Sequence, residues 1–577
     1  MNKKEVIQAL ETIAVYMEIK GENTFKTSAY RKAAQTLEQD ERSLSEIQTP
    51  ASLNSIGKGT AAVIEELRDT NQAQVLETLK SEIPEGLIPL LDLQGLGGRK
   101  VAKLYQELQI TDAASLKQAC ESRRVRELSG FGAKTEEKIL AALEDMGSRP
   151  DRLPVAFMLE TAKMLEKEIK NLADVKRWAR AGSLRRMEET IKDLDYILSV
   201  SVENTDPIRT QLKELPYVSE VIADGPSKVS LELALSYPVQ IDFRLTDDDA
   251  FATTLHHFTG SKDHNVQIRQ IAKSRGERVS EYGIENLETK EVTSFSSEED
   301  FFHYLGLYYI PPEARAGTGE TTMYQQPYET VERSDIKGDL HMHTTWSDGA
   351  LSVEEMAEEV RSRGHEWMAV TDHSKFLQVA HGLDEERILR QIEEIRRVND
   401  QYEDFTVLAG IEMDIRPDGT LDIEDEVLSR LDVVIASIHS SFSQSRTDIM
   451  KRLDAALEHP SVHIIAHPTG RLIGRREGYD ADVQTLLKKA AKTGTALELN
   501  ANPNRLDLSA AWLRKAADTG TMISINTDAH TPDMLDHMEI GTASAKKALL
   551  QKEQIVNTRN IEELRAFLQG KQERTKR

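Results

Sequence analysis

Two groups of residues in this 577-residue chain have the types and spacing of metal-dependent phosphate chemistry. The first is Asp193-Leu194-Asp195-Tyr196-Ile197-Leu198, preceded by Gly182-Ser183-Leu184-Arg185-Arg186 and followed by Val239-Gln240-Ile241-Asp242-Phe243. On a strand, positions i and i+2 share a face, so Asp193 and Asp195 point one way and Leu194, Tyr196 and Leu198 the other. Asp242 likewise lies opposite Ile241 and Phe243. Three carboxylates meeting at one spot repel each other unless cations lie between them. Mg²⁺ suits a few carboxylates plus substrate phosphates, and two such ions can activate an attacking 3′-hydroxyl and stabilise leaving pyrophosphate. Gly182 and Ser183 can offer amides and a hydroxyl to a triphosphate, with Arg186 on its charge. Asp-x-Asp alone, common by chance, is more often a solvated edge strand. The added glycine–serine pair, arginine and third aspartate favour the metal reading.

The second group is in the C-terminal part, which holds 11 of the 15 histidines. In Asp339-Leu340-His341-Met342-His343-Thr344-Thr345-Trp346-Ser347-Asp348, His341 and His343 are placed to ligate one metal together. Further candidates end successive apolar runs: Asp372-His373, Glu412, His439, His467 and Asp528-x-His530. In a barrel of parallel strands these ends face one mouth. Mixed imidazole and carboxylate ligands suit Zn²⁺, Mn²⁺ or Fe²⁺, and nine donors can serve up to three ions. Such ions lower the pKa of a bound water and clamp a phosphate for hydrolysis. His365, His381, His459, His463 and His537 are read as structural, and Arg471 and Arg505 as phosphate contacts.

Three further segments share an apolar residue and Gly-x-Gly ahead of a helix: Gly57 and Gly59, Gly95 and Gly97, Gly130 and Gly132. Glycines permit a positive-φ turn, and the helix N-terminus then offers free amides to a phosphate. A single copy is more often a plain turn. Three copies, about 35 residues apart, read as helix-hairpin-helix modules that hold a nucleic-acid backbone without reading bases.

The elements that must position these residues follow from patterning. Residues 1–145 are helical with glycine turns; 146–255 bring strand-like runs such as DYILSVSV and YPVQIDFRL; helices return to 310. Residues 311–336, rich in Pro and Gly and without a period, are read as a linker. Beyond it, short apolar runs alternate with helical patterns, a βαβα rhythm of parallel strands with crossover helices. Hydrophobic residues at 39% support several cores; the single cysteine, Cys120, excludes an internal disulfide framework. No apolar run approaches membrane-spanning length, so a soluble, cytoplasmic, monomeric protein is expected. The net charge of −24 argues against a broad basic coat, though not against phosphate binding by backbone amides.

On these residues, 1–310 resembles the family X DNA polymerases, of the DNA polymerase beta type, and 337–570 resembles the polymerase and histidinol phosphatase (PHP) domain. The resemblance implies a multidomain α+β and α/β architecture. Its parts are a helical DNA-binding domain (1–80), fingers with helix-hairpin-helix motifs (81–145), a nucleotidyltransferase palm (146–255), a thumb (256–310), the linker, and a distorted seven-stranded β/α barrel (337–577). It implies palm metal ligands Asp193, Asp195 and Asp242, and nucleotide contacts at Arg152, Ser183 and Arg186. His257, Phe258 and Gly260 match the segment packing on the incoming sugar; Asn265 and Arg269 match base-pair-sensing side chains. In the barrel it implies one ion on His341, His343, Glu412 and Asp528, a second on Glu412, His439 and His467, and a third on Asp348, His373 and His530. Met187 and Lys192 stand where the family more often has glycine, and His257 replaces a tyrosine. Val63 occupies the place of the lyase lysine, so no deoxyribose-phosphate lyase is expected there.

The implied function is gap-filling DNA polymerisation with Mg²⁺ or Mn²⁺, joined to Mn²⁺-dependent 3′-to-5′ exonuclease activity, acting on gapped or primed DNA and dNTPs in base-excision-type repair. Abasic-site cleavage and 3′-phosphate removal fall within the same barrel chemistry. The alternative is a DNA-delivered phosphatase for a small phosphomonoester.

Overall fold

The computed structural model describes every residue except 2, 41–43, 45, 46, 48, 94, 95, 148–150, 576 and 577. The N-terminal part is all helical, and Lys3–Lys20 and Thr24–Gln39 pack as a pair against the helices Lys58–Thr70, Gln74–Glu82 and Gly98–Leu108. Ile56, Leu96 and Phe131, the apolar residues of the three glycine turns, are buried in this helical core. The turns do not share the expected left-handed backbone. Only Gly130 has positive φ (+89°). Gly57 and Gly97 cap the following helices in extended conformation. Gly95 lies outside the described residues.

A five-stranded sheet follows: β1 (Val175–Arg180), β2 (Asp193–Val200), β3 (Val218–Gly225), β4 (Lys228–Leu233) and β5 (Val239–Thr246), in the order β1-β2-β5-β4-β3. Only β2 and β5 pair in parallel. The alternation of β2 works as the sequence demands. Leu194, Tyr196 and Leu198 are buried with the helices Val155–Ile169 and Thr205–Lys213, and the aspartates point away from that core. Helices Phe251–Thr259 and Lys262–Ser274 and a small sheet, β6 (Glu277–Ser280), β7 (Gly283–Asn286) and β8 (Val292–Thr293), form the next unit around Ile268, Phe301 and Phe302.

Residues 311–336 are packed rather than a free tether. They form short helical turns at Pro312–Ala314, Glu320–Met323 and Arg333–Asp335. Arg315 is fully buried, its Nη1 2.6 Å from Glu298 Oε1 and its Nε donating to the Ile310 carbonyl. Glu320 accepts from His264 Nδ1 at 2.9 Å, and Tyr328 donates to the Leu549 carbonyl at 2.7 Å. Ala314, Tyr324, Val331 and Ile336 are buried as well, but at irregular spacing, so the segment shows no hydrophobic period to read.

The C-terminal unit is a seven-stranded, all-parallel sheet in sequential order: β9 (Gly338–Asp339), β10 (Trp367–Val370), β11 (Thr406–Asp414), β12 (Val433–Ser437), β13 (Ile464–Ile465), β14 (Ala496–Asn500) and β15 (Ile523–Asn526). A parallel bridge between Met342 and Ala529 brings the first and last strands together, nearly closing a barrel. Strands such as Val433-Val434-Ile435-Ala436-Ser437 are buried throughout, as expected when helices cover a parallel sheet. Leu564 and Leu568 of the last helix (Ile561–Thr575) join the barrel's interior cluster. No helix among the described residues is long and apolar enough to cross a membrane.

Candidate active sites

The parallel register sets Asp195 opposite Asp242, with Asp193 two residues back on the same face. Burial, followed by the charges of Asp193 and Asp242, pushes the Asp195 carboxyl up to about 7. Burial raises Asp193 in the same way. Asp242 differs: burial opposes its ionisation, but Lys228 Nζ, 2.6 Å from Oδ2, and further hydrogen bonds hold it below the usual range. Lys228, on β4 beside β5, carries no local motif that sequence could have flagged. A carboxylate cluster that resists ionisation is one that a divalent cation would neutralise.

A cavity of about 440 Å³ adjoins the aspartates. Its walls include Arg152, Gly182, Ser183, Arg186, His257, Phe258, Gly260, Asn265 and Arg269, together with Asp193, Asp195, Lys192 and Lys262. Lys262 was not among the expected contacts; it follows the helix cap Ser261. Gly182 has φ +60°, and a Cβ there would lie 1.9 Å from Asp195 Oδ2, so only glycine admits this approach. At Gly260 (φ +70°) a Cβ would lie 3.2 Å from Arg186 Nη1, a looser approach; the Arg186 guanidinium donates to the Thr259 carbonyl. Asn265 Nδ2 donates to the His257 carbonyl at 2.8 Å, and Arg152 Nε to Thr190 at 3.0 Å. Met187, where glycine was anticipated, has φ +49°, the left-handed backbone that explains that preference.

The histidines and carboxylates after residue 337 meet at one end of the barrel. Three overlapping groups have ligand atoms within 4.8 Å of one another: His343, Asp348, His373 and His530; His341, His343 and Asp528; His373, Glu412 and His439. His467 Nε2 is 2.9 Å from Glu412 Oε1, so all nine expected ligands are contiguous. Glu412 Oε2 lies 3.4 Å from His341 Nε2 and 3.6 Å from His343 Nε2, as the expected first set requires, and also 2.8 Å from His373 Nδ1. His341 Nε2 is buried without a hydrogen-bond partner, facing Glu412 Oε2 at 3.4 Å and Asp528 Oδ1 at 3.6 Å. Buried nitrogens aimed at carboxylates without a proton bridge fit a shared cation. Burial, then His530 and His373, push His343 down to about 3, keeping it neutral, the form that ligates. His467 (φ +28°) and Asp528 (φ +53°) hold left-handed backbone, strain of the kind that collects at working sites.

Asp372 does not face the cluster; it is fully buried and accepts from Thr344, Ser347 and Gln391. Glu498, which the sequence reading missed, accepts from His341 Nδ1 and the His467 N–H, both at 2.7 Å. Asp414 similarly holds His439 Nδ1 at 3.2 Å. A lone Glu inside the apolar run Ala496-Leu497-Glu498-Leu499 was the available signal. Such outer carboxylates fix ring orientation. His365, His381, His459, His463 and His537 belong to none of the metal-competent groups among the described residues. Arg505 Nε lies 3.6 Å from Asp528 Oδ2, at the cluster. Arg471 instead pairs with Glu189 of the preceding unit.

A palm-type sheet carrying an aspartate triad, joined to a histidine-lined parallel barrel, defines a nucleotidyltransferase fused to a metallo-phosphoesterase. Family models match the DNA polymerase beta thumb at 254–316, a helix-hairpin-helix domain at 1–73 and the PHP domain at 339–502. The chain is 53% identical to the DNA polymerase/3′-5′ exonuclease PolX of Bacillus subtilis, covering 98% of this chain and 99% of that one. It belongs to that family, the family X DNA polymerases with a C-terminal PHP domain. The chain is also 33% identical to a probable phosphatase of Syntrophotalea carbinolica over 167 residues, 28% of this chain and 64% of that one.

Proposed function

We propose that the chain is a template-directed, gap-filling DNA polymerase of DNA repair whose PHP barrel degrades DNA from the 3′ end. Asp193, Asp195 and Asp242 would hold two Mg²⁺ or Mn²⁺ ions; the nine barrel ligands would hold up to three ions, Mn²⁺ foremost. The bound cations supply Lewis acidity to a 3′-hydroxyl or water and neutralise phosphate charge. Around them, Gly182 and Ser183 receive the triphosphate, Arg186 and Arg152 balance its charge, and His257 and Phe258 wall the sugar. Asn265 and Arg269 face the base pair. The single observation carrying this reading is that all nine expected nucleotide contacts line one cavity with Asp193 and Asp195.

DNA is held through the glycine turns in this reading. A Cβ at Gly59, Gly97, Gly130 or Gly132 would meet no protein atom within 4 Å, so the space these glycines leave suits an outside backbone. Val63 lies in the helix Lys58–Thr70 and has no amine, so borohydride trapping on an abasic 5′ end should yield no adduct there.

The test uses a one-nucleotide gapped duplex. Asp193→Ala with Asp195→Ala should abolish extension and spare degradation; His341→Ala with His343→Ala should do the reverse. Loss of both activities in either folded double mutant would reject two separate sites. A wild-type protein that hydrolyses a small monoester but leaves DNA intact would favour the phosphatase reading.

A further inference from the structure

The turn after His467 leads into a loop with three arginines within six positions, Arg471, Arg475 and Arg476. The loop is held firmly. Leu472 and Arg476 form a bridge, the Ile473 N–H donates to the Asn504 carbonyl at 2.8 Å, and Ile473 packs against the palm core. Arg471 is engaged by Glu189, and Arg476 donates to the Gly470 carbonyl and lies over the Phe442 ring at 4.3 Å. Arg475 is exposed.

A cavity of about 550 Å³ is lined by this loop, Arg475, Arg476 and Glu477 included, and by Glu189 of the palm unit. The Ile473–Asn504 hydrogen bond seats this loop beside the turn that carries Arg505, and burial, then the Arg505 charge, lowers the Arg476 pKa. Arg505 reaches the metal-ligand cluster at Asp528. Positive charge therefore runs from the barrel's cluster to the cavity facing the palm. Of the carboxylates near it, Glu189 is bound to Arg471, Asp507 is buried, and Glu477 is exposed at the rim. Crowding guanidinium groups costs Coulomb energy that a polyanion would relieve.

We propose that Arg505, Arg476 and Arg475 form a track for the phosphodiester backbone of a single DNA strand entering the barrel site from the palm side. Guanidinium groups bind phosphates in pairs of hydrogen bonds, and contacts to phosphate read no bases, as a track for any 3′ end requires. The proposal rests on the exonuclease reading of the barrel, since a small monoester would reach the cluster without meeting Arg475.

The full-length Arg475→Glu protein tests it. Exonuclease kinetics on a single strand of about 20 nucleotides should show KM raised about tenfold with kcat little changed. Binding of a labelled oligothymidylate, measured by anisotropy in Ca²⁺, should lose about one phosphate contact's worth of salt dependence. Cleavage of a dinucleotide, too short to reach Arg475, should be unaltered, and Arg475→Lys should restore most of the long-strand KM. Wild-type KM and salt slope in Arg475→Glu would overturn the track, as would equal losses on both substrates. A wild-type protein that leaves the long strand intact overturns the exonuclease reading itself, a result visible before any variant is made.

Discussion

Glu189 and Arg471 meet in a two-point ion pair across the boundary between palm and barrel, Oε2 to Nη1 at 3.0 Å and Oε1 to Nη2 at 2.8 Å. Glu189 follows Arg186 of the nucleotide cavity by three residues, and Arg471 follows His467 of the metal-ligand cluster by four. Lys547 pairs with Glu188 beside it. The two loops carrying the two sites are thus fastened to each other. A double-mutant cycle with Glu189→Gln and Arg471→Gln should give a coupling energy of about 1 kcal/mol in thermal unfolding. Partial exposure of Glu189 keeps that figure small. Additive single mutants would mean the fastening contributes nothing.

Gly182→Ala should cut primer extension by roughly 10²-fold or more while sparing 3′-end degradation. The added methyl would overlap Asp195 Oδ2, and alanine resists the left-handed backbone at that position. Single-turnover extension and exonuclease assays on the same preparation check it; normal extension would mean that the backbone yields freely there.

Glu498→Gln should weaken Mn²⁺ binding in the barrel by about 10- to 100-fold, because His341 loses its ionised acceptor while the side-chain volume is kept. Calorimetric titration with Mn²⁺, on a background of Asp193→Ala and Asp195→Ala, isolates the barrel. Unchanged affinity would reduce Glu498 to a packing role.

The barrel should lose stability as pH falls from about 6.5 to 4. His463 accepts the Val434 N–H at 3.0 Å through Nδ1, and burial, then the Lys571 charge, holds its pKa at about 4. An unfolded histidine takes up its proton near pH 6.5. Between those values the unfolded chain binds more protons, so this residue's contribution is intact above the window and is lost across it, by about 3 kcal/mol in all. His463→Gln should remove about one proton from the slope of unfolding free energy against pH. An unaltered slope would assign the acid sensitivity elsewhere, with His365, also near 4, the next candidate.

The strands bearing the chemistry were readable because their signals are local. Alternation in Asp193–Val200 dictated which side chains are buried, and apolar runs ending in His or Asp marked the barrel strands. The packed segment 311–336 was not readable, because its buried apolar residues follow no period and Arg315, Glu320 and Tyr328 find partners, Glu298, His264 and Leu549, that no local pattern announces. Similarly, nothing beside Lys228 announces that its ammonium meets Asp242.

By itself, then, the chain's order of residues determined the kinds of chemistry available, two metal-dependent phosphate sites, and the faces on which their ligands lie. Only the tertiary structure decided the partnerships: His373 beside Glu412, Glu498 orienting a histidine 157 residues away, and Arg471 bound to a glutamate 282 residues away. The physical reason is range. Periodicity and strand-end position act over a few residues, whereas which side chains meet depends on how the barrel closes and how the palm seats upon it.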